Sequence, residues 1–264
     1  MSASLTLFDL RAHRQRRRAA PPQALSNAFF VDSQANPGGA GTEASPFNTI
    51  GAALAVAQPG AVIRVRAPEA APQRERIAPD VDVRITAWDY DAGSGDTTFH
   101  IRASEEVTGG WTSLGGGIYS RSWGSGQLRT VVVMSITNVR GTPTVLDRET
   151  GTTSPSEGAF SYSGGTLYVH LPGAANPNSH TVEVDTATTG DGSHDATILV
   201  EGVTVQLDGV IALVGRNAAI RADAEGVILA RDCDAGLSVT GWNTGATGRV
   251  DLTRCRGYGA RNDG

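Results

Sequence analysis

The chain has 264 residues, enough to bury a sizeable core, and its 39% hydrophobic against 19% charged content marks it as globular rather than disordered. Its 33 glycines and 12 prolines make it turn-rich without reaching low complexity, which favours many short strands. The net charge of −5 is uneven: Arg11, Arg14, Arg16, Arg17 and Arg18 stand against Asp9 near the start, and the rest is acidic, which excludes a nucleic-acid-binding body.

In chain order, residues 1–26 come first. The arginine cluster is followed by "AAPPQALS" and not by an apolar run, so it does not read as a secretory signal. No stretch of about 18 apolar residues offers a membrane span. The pattern Leu5, Leu7, Phe8 and Leu10, followed by Arg16, Arg17 and Arg18, suits an anchor on a partner surface as well as a frayed terminus.

Residues 31–65 then read as a strand, a glycine-rich turn, one helix and a second strand. A helix over 47–58 places Ile50, Ala53, Leu54 and Ala57 at the i, i+3, i+4, i+7 spacing of an apolar stripe. No further helix alternates with strands beyond it, so the stripe is expected to act as a lid on a β core rather than as a crossover. From residue 110 to 186 the alternation of "GGIYSRSW", "LRTVVVMSI", "GAFSYSGGTLYVHL" and "HTVEV" predicts antiparallel strands, with a tight hairpin at "SGG".

A repeat begins near residue 196. Aligning Val203-x-Val205-x-x-Asp208, Ile228-x-Ala230-x-x-Cys233 and Val250-x-Leu252-x-x-Cys255 gives offsets of 25 and 22, the mark of a solenoid whose coils must stack to bury their inner faces. Cys233 and Cys255 become neighbours in one inward ladder. Their parallel directions predict reduced thiols. No C-x-x-C, H-E-x-x-H, Walker loop or G-x-S-x-G elbow occurs, so neither metal nor cofactor is expected.

With the repeat in view, Val31, Asp32, Asn36, Pro37, Gly38, Pro46, Phe47, Thr49, Ile50, Ala53, Ala57, Pro59, Gly60, Ile63 and Val65 form a recognisable set. The stretch resembles the N-terminal region of right-handed parallel β-helix proteins of the pectate-lyase-like superfamily, departing at Ala61, where an aspartate is usual. The resemblance implies an all-β, right-handed parallel β-helix with an N-terminal capping helix and an inserted small antiparallel β subdomain. Its divisions are 1–27, a basic leader; 28–109, cap and first coils; 110–190, the antiparallel unit; and 191–264, further coils expected to run on past residue 264.

Proteins of this kind include polysaccharide lyases and hydrolases, and phage spikes or fibres. The first reading favoured here is a virion-attached spike or fibre that binds host surface polysaccharide, a homotrimer joined to tail or capsid proteins through its N-terminus, without nucleic acid or membrane insertion. The alternative is a secreted or cell-associated polysaccharide lyase or glycoside hydrolase. For catalysis, Asp232 and Asp234 flank Cys233 and Asp251 lies one coil on, so two or three acids are candidates for one face, where hydrolysis wants a pair about 5–10 Å apart. The competing reading makes them turn residues laddered with Arg231 or Arg254. For sugar binding, rings that stack on sugar faces point to Trp242 and Tyr258 first, with Trp111 and Trp123 behind them, and Arg231 and Arg254 as polar partners.

Overall fold

The computed structural model describes residues 27–93, 95–124, 128, 130–137, 143–185, 196–215, 218–238 and 240–258. Among these the chain is nearly all β. A six-stranded sheet, here the long sheet, runs in the order Ala28–Asp32, Ala61–Arg66, Val83–Ala87, Thr204–Asp208, Val227–Arg231 and Arg249–Thr253, every neighbour parallel. A second parallel sheet holds Phe99–Arg102, Val210–Leu213, Asp234–Gly236 and Arg256–Tyr258. The third holds Ala196–Glu201, Ala218–Asp223 and Thr240–Thr244.

The chain visits the three sheets in turn and then rises to the next coil. Successive coils therefore hydrogen-bond to each other and bury a common interior. Ile63, Ile85, Leu207 and Ala230 form one inward ladder at the long sheet and are fully or almost fully buried. The registers correct the first repeat offset: Val205, not Val203, pairs with Ile228, while Ile228 pairs with Val250 as aligned. A two-residue slip leaves every side chain on its expected face, so alternation alone cannot detect it.

In three successive coils the passage from the long to the second sheet turns on one left-handed residue. Gly209 (φ 70°), Asp232 (φ 53°) and Arg254 (φ 54°) occupy equivalent places, each following the paired row Asp208, Arg231 and Thr253. Just past them Cys233 is buried and Cys255 half-buried, both as free thiols bonded to backbone carbonyls.

The helix is shorter than its pattern predicts, Ile50–Leu54, with the Thr49 hydroxyl accepting from the Ala52 amide. Glu75 accepts from the amides of Ile50 (2.6 Å) and Gly51 (2.9 Å), the first-turn donors that a helix leaves unsatisfied. Ile50, Ala53 and Ala57 join the same buried cluster as Val31, Ile63 and Ile77.

Antiparallel pairing begins at Ser104, earlier than the expected residue 110, because Ser104–Val107 pairs with Val182–Asp185 and so closes the stem of the excursion. Val131–Thr137 and Pro143–Val145 complete that four-stranded sheet. A five-stranded sheet runs Asp147–Glu149, Ala159–Ser163, Thr166–His170, Ile118–Ser122 and Thr112–Gly115, its first pair parallel and the rest antiparallel. Gly164 (φ 57°) and Gly165 (φ 79°) make its two-residue hairpin loop, as the sequence predicts.

This insert has its own core, including Leu146, Phe160, Leu167 and Val182. It meets the coils where Val132 packs with Leu213, Val214 and Leu237. At the stem, the fully buried Glu183 carboxylate accepts from Arg74 (2.7 and 3.0 Å), Arg102 (2.8 Å) and the Ser104 hydroxyl. Burial alone would raise its pKa; the guanidinium of Arg74 and the Ser104 hydroxyl hold it below the ordinary carboxylate value.

Candidate functional site

The outward side chains of the long sheet form two ladders. One runs Arg64, Thr86, Asp208, Arg231 and Thr253; the next runs Arg84, Gln206, Leu229 and Asp251. Period-two alternation puts them opposite the apolar ladder, and in-register stacking repeats them at about 4.8 Å along the axis.

The first ladder is organised around a carboxylate that water does not reach. Asp208 is fully buried and accepts from Arg84 Nε (2.6 Å), from Arg231 Nε (2.8 Å) and Nη2 (3.2 Å), and from Gln206 Nε2 (2.8 Å). A buried charge of this kind is tolerated only when paired and hydrogen-bonded, and here two guanidiniums from the coils on either side supply that. Asp91, in the 3₁₀ turn Tyr90–Ala92, takes the other side of Arg84 (2.5 and 3.0 Å) and Arg64 Nη2 (3.1 Å). The arginines are thereby fixed in place rather than free to sweep solvent.

Above this network the ladders open into a depression of about 250 Å³ lined by Gln206, Leu229, Arg231, Asp251 and Thr253. Its residues come from three successive coils. Leu229 is 37% exposed and supplies an apolar patch; the others supply an amide, a guanidinium, a carboxylate and a hydroxyl around it.

The structure separates the three candidate acids. Asp251 lies on the long sheet, Asp232 in the turn after it and Asp234 on the second sheet, so they do not share one face. Each is also locked to an arginine: Asp232 to Arg254 (2.5 and 2.6 Å), Asp234 to Arg256 (3.0 and 2.7 Å) and Asp251 to Arg249 (3.0 Å for the Nε bond). Arg254, and then the Tyr90 hydroxyl that also donates to Asp232, draw the Asp232 pKa down to about 2. Tyr90 in turn is pushed up to about 12, by burial first and by that bond second. A carboxylate held ionised in this way has no proton to give a leaving group, so Asp232 does not fit a general acid. The turn-and-ladder arrangement of acid and arginine is the one the coils adopt.

Trp242 is also placed differently from a sugar platform. Its strand position continues the buried Ile198 and Ile220, its ring packs against the main core, and its indole N–H donates to the Arg256 carbonyl (3.2 Å). Tyr258 pairs through its backbone with Gly236; its side chain lies outside the described ones, as do the anchor candidates Leu5, Leu7, Phe8, Leu10, Arg16, Arg17 and Arg18. Arg231 and Asp251 do come together in the depression, and Arg254 sits beside Asp232 in the adjoining turn. Sequence reasoning missed Arg84, Tyr90, Gln206, Asp208 as the buried hub, and Leu229. Pairing Asp208 with Arg231 in the repeat, instead of with Cys233, would have found the hub.

Among the described residues no group of three His, Cys, Asp or Glu is placed to hold a metal ion, and no helix is long and apolar enough to cross a membrane.

No family model matches the chain, and no curated protein matches it by sequence. Among solved structures it is similar in fold to one described as "The complex structure of XylC with xylose", with a TM-score of 0.53 at 13% identity over 88% of this chain and 53% of that one. A second, described as "Glycoside hydrolase", gives a TM-score of 0.49 at 8% identity over 89% of this chain and 74% of that one. The chain thus spans about half the length of the first structure. At this identity the likeness is one of fold.

Proposed function

We propose that the chain is a right-handed parallel β-helix of the pectate-lyase-like kind, and that it binds an extended carbohydrate along the outer face of its long sheet. The observation that carries this reading is the depression formed by Gln206, Leu229, Arg231, Asp251 and Thr253, which spans three coils. An apolar patch ringed by fixed polar groups is what the two sides of a sugar ring require: C–H groups meet Leu229, and hydroxyls meet the guanidinium, amide and carboxylate. Because Arg231 is held by Asp208, little conformational entropy is lost when it engages a ligand. A regular coil spacing suits a polymer of repeating units. The fold neighbour described with bound xylose supports a carbohydrate as the ligand class.

Binding is favoured over hydrolysis within these residues, because the acids on the coil turns and outer faces considered for catalysis are already paired with arginines. The fold neighbour described with xylose supports carbohydrate handling over the spike reading, and the residues that suggested virion attachment are not among those described.

The test is titration of the full chain with xylo-oligosaccharides and with oligogalacturonate by calorimetry, combined with an assay of chain length. The reading expects binding without shortening, weakened at least about tenfold by Leu229→Asp. Absence of binding by wild type, or an unchanged affinity in Leu229→Asp, overturns it. Appearance of shorter products replaces it with an enzyme.

A further inference from the structure

From the insert we infer a second saccharide-binding site, lined by Glu105, Arg121, Ser122, Trp123 and Gly124 and suited to a neutral sugar unit. These residues surround a pocket of about 320 Å³ where the edge strand Ser104–Val107 of the four-stranded sheet faces the end of strand Ile118–Ser122 of the five-stranded sheet. The inference takes its ligand class from the reading above and places it at a different surface.

The site is built from parts held by other contacts. Arg121 passes over Gly109 and Gly110, donating through Nη1 to the Gly109 carbonyl. Gly110 (φ 73°) lies beside that nitrogen in a left-handed conformation that favours glycine. Trp123 is pinned by its backbone amide to the Gly165 carbonyl (2.8 Å), and the next carbonyl, of Gly124, accepts from the Tyr162 hydroxyl (2.6 Å). The Trp123 ring is half-buried against the insert core, which leaves part of it at the pocket.

Against these fixed groups stands Glu105, an exposed carboxylate that makes no ion pair among the described residues. Its neighbours behave differently: Glu106 bonds Arg74 at 2.6 Å, and Glu183 is buried among Arg74, Arg102 and Ser104. An uncommitted acid, a hydroxyl and a preset guanidinium beside an indole provide the acceptors, donors and flat apolar surface that a pyranose or pentose ring engages. Acid and arginine in one pocket leave no net positive field to draw an anion, so a neutral sugar is favoured over a uronate.

The experiment is calorimetric titration of the full chain with neutral xylo-oligosaccharides and, separately, oligogalacturonate, using wild type, Glu105→Ala, Trp123→Phe and Leu229→Asp. The Glu105 side chain makes no bond among the described residues, so Glu105→Ala should fold as wild type by circular dichroism; Trp123→Phe keeps an apolar ring in the insert core. Wild type is expected to bind the neutral sugar at two sites. Glu105→Ala and Trp123→Phe each weaken one of them about tenfold or more, and Leu229→Asp weakens only the other. Unchanged binding in both Glu105→Ala and Trp123→Phe overturns the insert site while leaving the long-sheet site standing. Loss in these two with no effect of Leu229→Asp does the reverse. Preference of the Glu105-dependent site for oligogalacturonate overturns its assignment to a neutral sugar.

Discussion

The coiled region and the insert solve the same problem, hiding polar backbone and charged side chains among short strands, in opposite ways. In the coils every neighbouring strand is parallel, so like positions stack, and three acids are balanced from one coil to the next: Asp208 lies between Arg84 and Arg231, Asp232 pairs with Arg254 and Asp234 with Arg256, while Asp223 and Asp251 pair within their own strands. In the insert most strands are antiparallel, two pairings shift register, at Ser113/Gly115 and Val133/Thr137, and an acid such as Glu105 is left unpaired among the described residues. The difference teaches where ligand-facing groups survive. Translation along an axis stacks charges in rows, and around Asp208 and Asp232 these rows satisfy one another. At the edge of the insert's four-stranded sheet Glu105 has no stacked neighbour of this kind.

The strongest break in that comparison falls at the seam. Glu183→Ala leaves Arg74 and Arg102 without their shared buried carboxylate, and is expected to cost about 3–5 kcal/mol in chemical denaturation. It should also expose the stem strands Ser104–Val107 and Val182–Asp185 to limited proteolysis before the coils unfold.

Within the coils, Ile85→Ala removes a fully buried member of the inward ladder and is expected to cost about 2–5 kcal/mol. The matching change in the insert, Leu167→Ala, should cost a similar amount but act locally, because the two cores are separate clusters. Hydrogen exchange should then quicken over 147–170 and stay slow over 204–231.

A smaller effect is expected at the insert hairpin. A Cβ at Gly164 meets nothing within 4 Å, so Gly164→Ala suffers only the left-handed backbone, about 1–2 kcal/mol by thermal unfolding.

The smallest effect concerns the charge ladder. The Asp232 pKa is held at about 2, below its ordinary 3.8, so its contribution to stability is full above about pH 4 and is lost as pH falls through about 2. Urea midpoints measured at pH 5 and pH 2.5 should therefore differ less in Asp232→Asn than in wild type. An equal pH dependence would mean that the Arg254 and Tyr90 contacts do not hold in solution.

The sequence by itself determined much of this protein. Gly/Pro punctuation and short apolar runs made it β; the i, i+3, i+4, i+7 stripe at Ile50, Ala53, Leu54 and Ala57 located the helix; "SGG" set the hairpin; and the recurring Ile228/Val250 and Cys233/Cys255 spacing gave the last coil offset. These are local or strictly periodic signals, carried by residues whose own conformational and solvation preferences decide their place. Only the tertiary structure decided the rest. The slip that put Val203 where Val205 belongs is invisible to alternation, since both face inward or neither does. The Ser104 boundary is set by pairing with a strand some eighty residues away in the chain. Asp232, Asp234 and Asp251 look adjacent in a repeat, yet they fall on the turn, the second sheet and the long sheet; the arginines that pair with Asp232 and Asp234 arrive from the next coil, and the one that pairs with Asp251 from its own strand. Asp208 passed for a repeat marker until its two guanidiniums were in view. Electrostatic environment is a property of neighbours in space, and a chain that coils back on itself once every twenty-odd residues chooses those neighbours only when it folds.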